Sequence, residues 1–360
     1  MKNPFVRSRI LYFILILFVC SCATVKKQAT VQQELIIYPS PPSTPRIQYL
    51  TSISNSNDIT GQQSNFSKFI MGEEISKSIV RPYGIDIKNG KIYICDPGVG
   101  GMEIINLEEK TFVYFGPKGL GLLPSPVNCY VDDKEFLYVV DGVRKQIVVF
   151  DKELNFVKTV GDKKKLVPVD IFEYDEKFFV TNSVAHQINV YKKDSANELL
   201  LSFPEAEAGD EQFLYQPTYL TVLDDFLYVT DFGDFRIKKF SHNGEFLGSI
   251  GSSGNSIGQF ARPKGNAVDK DGNLYALDAG FENVQIFNEK GQVLMFFGGP
   301  YQGHGDMYLP TNILIDYDNL KYFEKHVDPS FNLKYLIFVT NQFGPDKISI
   351  YGFIESKVAD

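Results

Sequence analysis

The chain has 360 residues, 44% hydrophobic and 22% charged, with 30 Phe, 20 Tyr, 29 Gly and no Trp. That mixture suits β-strands and tight turns more than helices. A formal net charge of −8 argues against nucleic acid as the main partner, because phosphate binding needs a basic surface.

Residues 1–21 read as an export signal. Lys2, Arg7 and Arg9 precede an apolar run from Ile10 to Val19, about half the length of roughly 20 residues that a bilayer span needs. The run ends Val19-Cys20-Ser21-Cys22, which resembles a bacterial lipobox. The resemblance implies cleavage before Cys22, lipidation of that residue and a membrane anchor through the N-terminal lipid. Ordinary signal cleavage near Ser21 or Ala23, or an uncleaved anchor, is the other reading. Loss of residues 1–21 removes three positive charges and takes the net charge from −8 to −11. Ala23 after the cysteine, by resemblance to enteric sorting rules, implies the bacterial outer membrane, on its periplasmic side or at the cell surface. Residues 22–45 are expected to form a linker, since Pro39, Pro41, Pro42 and Pro45 favour an extended, semi-rigid chain.

An internal repeat governs the remainder. Six times a Pro is followed by an apolar strand, a short turn and a second strand ending in Asp or Asn. The pairs are Pro82 and Asp96, Pro126 and Asp141, Pro168 and Asn182, Pro217 and Asp231, Pro263 and Asp278, and Pro310 and Asn341. Nine residues after each Asp or Asn comes another apolar site: Ile105, Phe150, Tyr191, Phe240 and Phe287, with Tyr351 one residue late. A fourth strand ends at Gly116, Gly161, Gly251 and Gly298, and in the third copy at Phe203 without the glycine. Four short strands per repeat predict a propeller blade. A fixed period also overrides the two or three domains that length alone suggests, because one such unit cannot bury its faces by itself. The sixth copy carries an insertion at about 319–334 and stops early. The stretch from Arg46 to Ile53 has no repeat of its own, yet alternates Ile47, Tyr49, Thr51 and Ile53. It is predicted to supply the outer strand of the last blade, which closes the ring and covers an open edge. The expectation is all-β: a six-bladed propeller over 46–360, with four-stranded blades.

The pattern of Pro-x-Gly-Ile, then Tyr-Val-x-Asp, then a closing Phe and Gly resembles the NHL repeat, best over 82–96, 217–251 and 263–298. The resemblance covers about 46–353. The segment 41–53 looks like the leading segment of bacterial NHL-type propeller lipoproteins. Asn replaces Asp at 182 and 341, and the third copy lacks the Gly-Ile pair. This resemblance implies a monomeric interaction scaffold.

Antiparallel blades put the turns between strands one and two, and between three and four, on one face. These are short, as at Asn89-Gly90 and Asn243-Gly244. The connections 116–125, 204–216, 252–261 and 299–309 are long and lie on the opposite face, together with the turns between strands two and three. Binding usually resides on long loops held by a rigid scaffold, so Arg144, His186, Phe232, Phe235, Arg236, Phe281 and Phe343 on that face are the candidate contact residues. Packing between blades is the competing role for the aromatics. The expected partner is an envelope or extracellular protein, peptide or glycan, and no cofactor is expected.

The repeated Asp/Asn reads as structural, because it recurs in every blade whereas a catalytic residue appears once; its side chain should bond the following turn. The alternative function is a metal-dependent lyase or lactonase-type propeller with an axial site. Against it, the first strands carry Tyr83, Asn128, Asp170, Tyr219, Asn266 and Asn312, which is no metal-ligand set. Asn128, Asn266 and Asn312 are candidates to line a polar axial channel. Asp269 to Asn273 reads as a hairpin turn, because position twelve of a calcium loop would fall on Gly280 and not on Glu. Lys163 to Lys165 reads as a solvated loop. Cys95 and Cys129 read as buried thiols, with a disulfide as the alternative. The insertion, with Tyr322, Phe323, His326 and Phe331, either forms a second contact surface or packs under the propeller.

Overall fold

A computed structural model describes residues 35–63, 69–70, 75–162, 164–193 and 198–357. The signal segment, Cys22, Ala23 and Lys163 lie outside the described residues.

Two N-terminal strands, β1 (Ile37–Tyr38) and β2 (Ile47–Ile53), precede the first blade, which is built of β3 (Ile85–Lys88), β4 (Lys91–Asp96), β5 (Gly101–Asn106) and β6 (Thr111–Phe115). Blade two comprises β7 (Pro126–Val131), β8 (Leu137–Asp141), β9 (Gln146–Phe150) and β10 (Phe156–Val160), and blade three comprises β11 (Pro168–Tyr174), β12 (Lys177–Asn182), β13 (Gln187–Lys192) and β14 (Leu199–Phe203). Blade four follows as β15 (Pro217–Leu223), β16 (Phe226–Asp231), β17 (Arg236–Ser241) and β18 (Phe246–Ile250), and blade five as β19 (Pro263–Val268), β20 (Leu274–Asp278), β21 (Asn283–Phe287) and β22 (Val293–Gly298). Blade six contains β23 (Pro310–Asp316), β24 (Phe331–Asn341) and β25 (Ile348–Ser356). Each of the first five sheets is four-stranded and antiparallel, and the six inner strands touch in a closed ring, β23 against β3 included.

Burial follows position within the blade. Second strands are sandwiched between neighbouring sheets, so the whole of Leu-Tyr-Val-Val-Asp in β8 is buried. Fourth strands form the rim, and β22 alternates exposed and covered residues. The core accordingly lies between blades: Tyr93, Cys95 and Ile104 of blade one pack on Cys129, Val131 and Val139 of blade two. Cys95 and Cys129 are both buried and free, and the Cys129 thiol is pushed upward by its Cys95 neighbour and by burial.

The predicted closure is present. β2 pairs antiparallel with β25, from Ile47 opposite Phe353 to Ile53 opposite Ile348. A bulge between Tyr49 and Thr51 interrupts the expected alternation. It buries the consecutive residues Tyr49 and Leu50. Ile47 and Tyr49 join the cluster shared with blade five, while Leu50 and Ile53 join the cluster shared with blade one. β1 adds a fifth strand outside β2, with Ile37 opposite Gln48, within the stretch expected to be a linker.

The insertion packs across the seam between blades six and one. Gly90 N–H donates to Asn319 Oδ1 at 2.8 Å, Tyr322 Oη donates to Glu108 at 2.8 Å, and Phe323 is buried edge-on against Phe338. Its last residues extend β24, which runs for 11 residues.

Candidate functional site

The repeated Asp/Asn side chains are all buried. Asp96 accepts from Val80 and Arg81 N–H, which lie just before the blade's proline, and from Gly98 N–H in the turn that follows. Asp278 does the same with Ala261, Arg262, Gly280 and Phe281. Asp96, Asp141 and Asp278 therefore tie the long connection entering a blade to the turn between strands two and three, and Asp231 ties its connection to Lys238 of the third strand. The role is architectural, and it holds the long-loop face in shape. Asp269 likewise closes its own hairpin, accepting from Asp271 and Asn273 N–H.

At the axis, Asn128 and Asn312 face the penultimate position of the second strand in blades two and six, and Asp170 and Tyr219, likewise two residues after the proline, lie in the bulge of the inner strand in blades three and four. Asn312 Nδ2 donates to Asn128 Oδ1 at 3.2 Å, and Asn128 Nδ2 donates to Asp170 Oδ1. Asp170 also accepts from Ile171 N–H and, across the blade boundary, from Leu220 N–H, both at 2.8 Å. These four residues are 4–7% exposed, so the axis is plugged by its own polar side chains. Burial pushes the Asp170 carboxyl up to about 7 against the pull of those bonds. Asn266 stands apart. It stands three residues after Pro263, not two, so it pairs with Ala276 as Cys129 does with Val139, and it bonds Thr230 Oγ1 at 2.9 Å between blades. Gly84 and Gly265 take the inner place in blades one and five; a Cβ on Gly84 would collide with Asn128, and one on Gly265 with Asn312. Among the described residues, no three His, Cys, Asp or Glu side chains gather as metal ligands.

The long-loop candidates divide by what they touch. Arg144 donates from Nη1 to Leu120 O at 2.7 Å and Leu122 O at 2.8 Å, which braces the connection into blade two. His186 sets Nδ1 2.9 Å from Leu214 O and packs at a tilt against Phe213, bracing the connection into blade four. Phe232 lies under Lys264 Nζ at 4.9 Å, Phe235 packs into the core cluster of blades four and five, and Arg236 pairs with Asp234 at 3.2 Å. Phe343 is exposed with its ring 5.8 Å from Tyr308, and Phe281 lines a surface cleft on blade five.

Residues that sequence reasoning passed over stand beside them. Among the described residues, the exposed large apolar side chains in the connections from β6 onward lie on the long-loop face. Leu120, Leu122 and Val143 surround Arg144; Val184 and Tyr215 flank His186; Ile257 rises from the connection into blade five. His304 bonds buried Asp346 at 2.9 Å and stacks on Tyr49, and Ser52 donates to the same carboxylate, so the closing strand is fastened to two long loops. No spacing in the chain signals that triple contact, because Ser52 lies 294 residues and His304 42 residues from Asp346.

Solved structures share this architecture. A protein of unknown function from Bacteroides thetaiotaomicron matches with a TM-score of 0.58 and 15% identity over 86% of this chain and 76% of its own. A gluconolactonase from Xanthomonas campestris matches with a TM-score of 0.54 and 14% identity over 90% and 97% of the two chains. Virginiamycin B lyase from Staphylococcus aureus matches with a TM-score of 0.52 and 13% identity over 76% and 96%. No family model matches the chain. Likeness at this identity shows the six-bladed propeller fold and nothing about chemistry.

Proposed function

We propose that this is a non-catalytic binding propeller of the NHL type, anchored to the cell envelope by a lipid on Cys22, which engages its partner through the long-loop face. One observation carries the reading: solvent-exposed Leu120, Leu122, Val143, Val184, Ile257, Tyr308 and Phe343 all crowd one end of the ring. Grouped exposed apolar side chains mark interaction surfaces in soluble domains. Two candidates, Arg144 and His186, hold in place the loops that present them. Against the enzyme alternative, a lyase or lactonase with an axial site, Asn128, Asp170, Tyr219 and Asn312 fill the axis at 4–7% exposure, and Asn312, Asn128 and Asp170 bond one another.

The test is crosslinking in intact cells followed by purification, comparing the wild type with a Leu120→Asp/Val143→Asp/Phe343→Asp variant. These side chains are exposed, so the variant should melt like the wild type and lose the crosslinked partner. Equal recovery of the same partner by both proteins would refute binding through this face.

A further inference from the structure

The Asp-to-turn motif repeats in each blade, so the blades serve as controls for one another. The first residue of the third strand, opposite the repeated Asp/Asn, is Gln146 in blade two and Gln187 in blade three. Both amides reach across to the end of the fourth strand: Gln146 Nε2 donates to Gly161 O at 3.4 Å, and Gln187 Nε2 donates to Pro204 O at 3.2 Å. In blade five the same place is held by Asn283, opposite Asp278 and Gly298. Its side chain is one methylene shorter, and its Oδ1 is buried without a hydrogen-bond partner. An unpartnered buried acceptor costs about 1–3 kcal/mol; Glu103 and Asn266 carry the same cost elsewhere in the ring.

Where the longer side chain would lie, blade five has a cleft of about 340 Å³, within the range of roughly 300–1,000 Å³ typical of ligand sites. Its walls are Phe281, Phe296, Ile257 and Pro300, and Asn255, Ser256 and Asn283 supply amide and hydroxyl groups. The floor is fixed, because Gln285 donates to Gln259 O and accepts from Gly258 N–H. No charged side chain lines the cleft, although the chain carries 80 charged residues in all, 36 basic and 44 acidic.

We propose that this cleft binds a neutral sugar residue of a glycan. A pyranose ring offers C–H faces to the Phe281 and Phe296 rings and hydroxyl groups to the Asn255 amide and the Ser256 hydroxyl. Such a ligand matches a site that sets two aromatic rings beside amides and carries no charge; an anionic ligand would meet no cation in it. The inference rests on the long-loop face being the binding face, and it names the ligand class for one part of that face.

Affinity electrophoresis tests it, with the full-length protein run in native gels containing dextran, mannan, xylan or pullulan. At least one polysaccharide should retard the wild type. Phe296→Ala, at an exposed position, should weaken that retardation about tenfold, and Asn283→Gln, which restores the reach seen in blades two and three, should abolish it. Both variants should keep the wild-type melt. Unchanged migration in all four gels, or retardation that both variants retain, overturns the proposal. If the polysaccharides fail while Leu120→Asp/Val143→Asp/Phe343→Asp still loses its crosslinked partner, the sugar site falls and the binding face stands; if both fail, both readings fall.

Discussion

One buried position on the third strand shows how a single side chain can oppose the fold that contains it. It is Glu103, Val148, Asn189, Lys238, Gln285 and Ser349 in the six blades, and all six are buried. Lys238 answers the repeated carboxylate directly, with Nζ 3.1 Å from Asp231 and 2.8 Å from Asp234. Glu103 occupies the same register beside Asp96; neither of its oxygens meets a donor, and its own proton faces the Asp96 carboxylate. Burial first, and the Asp96 carboxylate second, push its carboxyl up to about 10 from an ordinary 4.5. Between those values the folded chain holds a proton that the unfolded chain has released, so stability falls as pH rises. The slope is about 1.4 kcal/mol per pH unit for one full proton, or a few kcal/mol between pH 5 and pH 9. Glu103→Gln removes the titrating group and keeps the shape. Its melting temperature should match the wild type near pH 5 and exceed it increasingly toward pH 9, followed by circular dichroism. Parallel curves for the two proteins would show that this carboxyl is not held protonated.

At the scale of elements, the closing strand β2 was legible and its detail was not. The alternation of apolar residues from Ile47 onward, set beside a sixth repeat lacking its fourth strand, was enough to place it. The bulge after Tyr49 depends on the register with β25, roughly 300 residues away, and no local pattern encodes it. Blade five differs in identity and not in register: Gly265 stands two residues after Pro263, where blades two and six carry Asn128 and Asn312, and Asn266 stands one place further on, opposite Ala276. The shortened Asn283 became informative only when superposed on Gln146 and Gln187. The double burial around the bulge gives β2 its weight, since one strand seals two inter-blade cores. Deleting residues 46–54 should therefore lower the melting temperature severely. Leu50→Ala, in the cluster with Ile85 and Phe338, should cost about 2–5 kcal/mol in urea unfolding, well above the effect of Thr51→Ala at the part-exposed neighbour. Equal, small effects from the two substitutions would mean that the seam carries little of the ring's stability.

For the whole molecule, charge decides what can hold it at a membrane. Without residues 1–21 the chain carries a net −11, and anionic headgroups repel such a protein. No helix among the described residues is long and apolar enough to cross a bilayer. Stable attachment would then rest on the acyl groups proposed at Cys22, at about 0.8 kcal/mol per buried CH₂, with more than one chain needed for firm anchoring. Acyl anchoring is indifferent to ionic strength, whereas attraction between charges is screened by salt. The wild type should consequently stay in the membrane pellet through a high-salt wash and leave it in detergent. Cys22→Ala should shift the protein out of the pellet while the melt of the propeller stays the same. Retention of Cys22→Ala in the washed pellet would transfer the anchoring role to the apolar run from Ile10 to Val19 or to a protein partner, and would remove lipidation from the proposal.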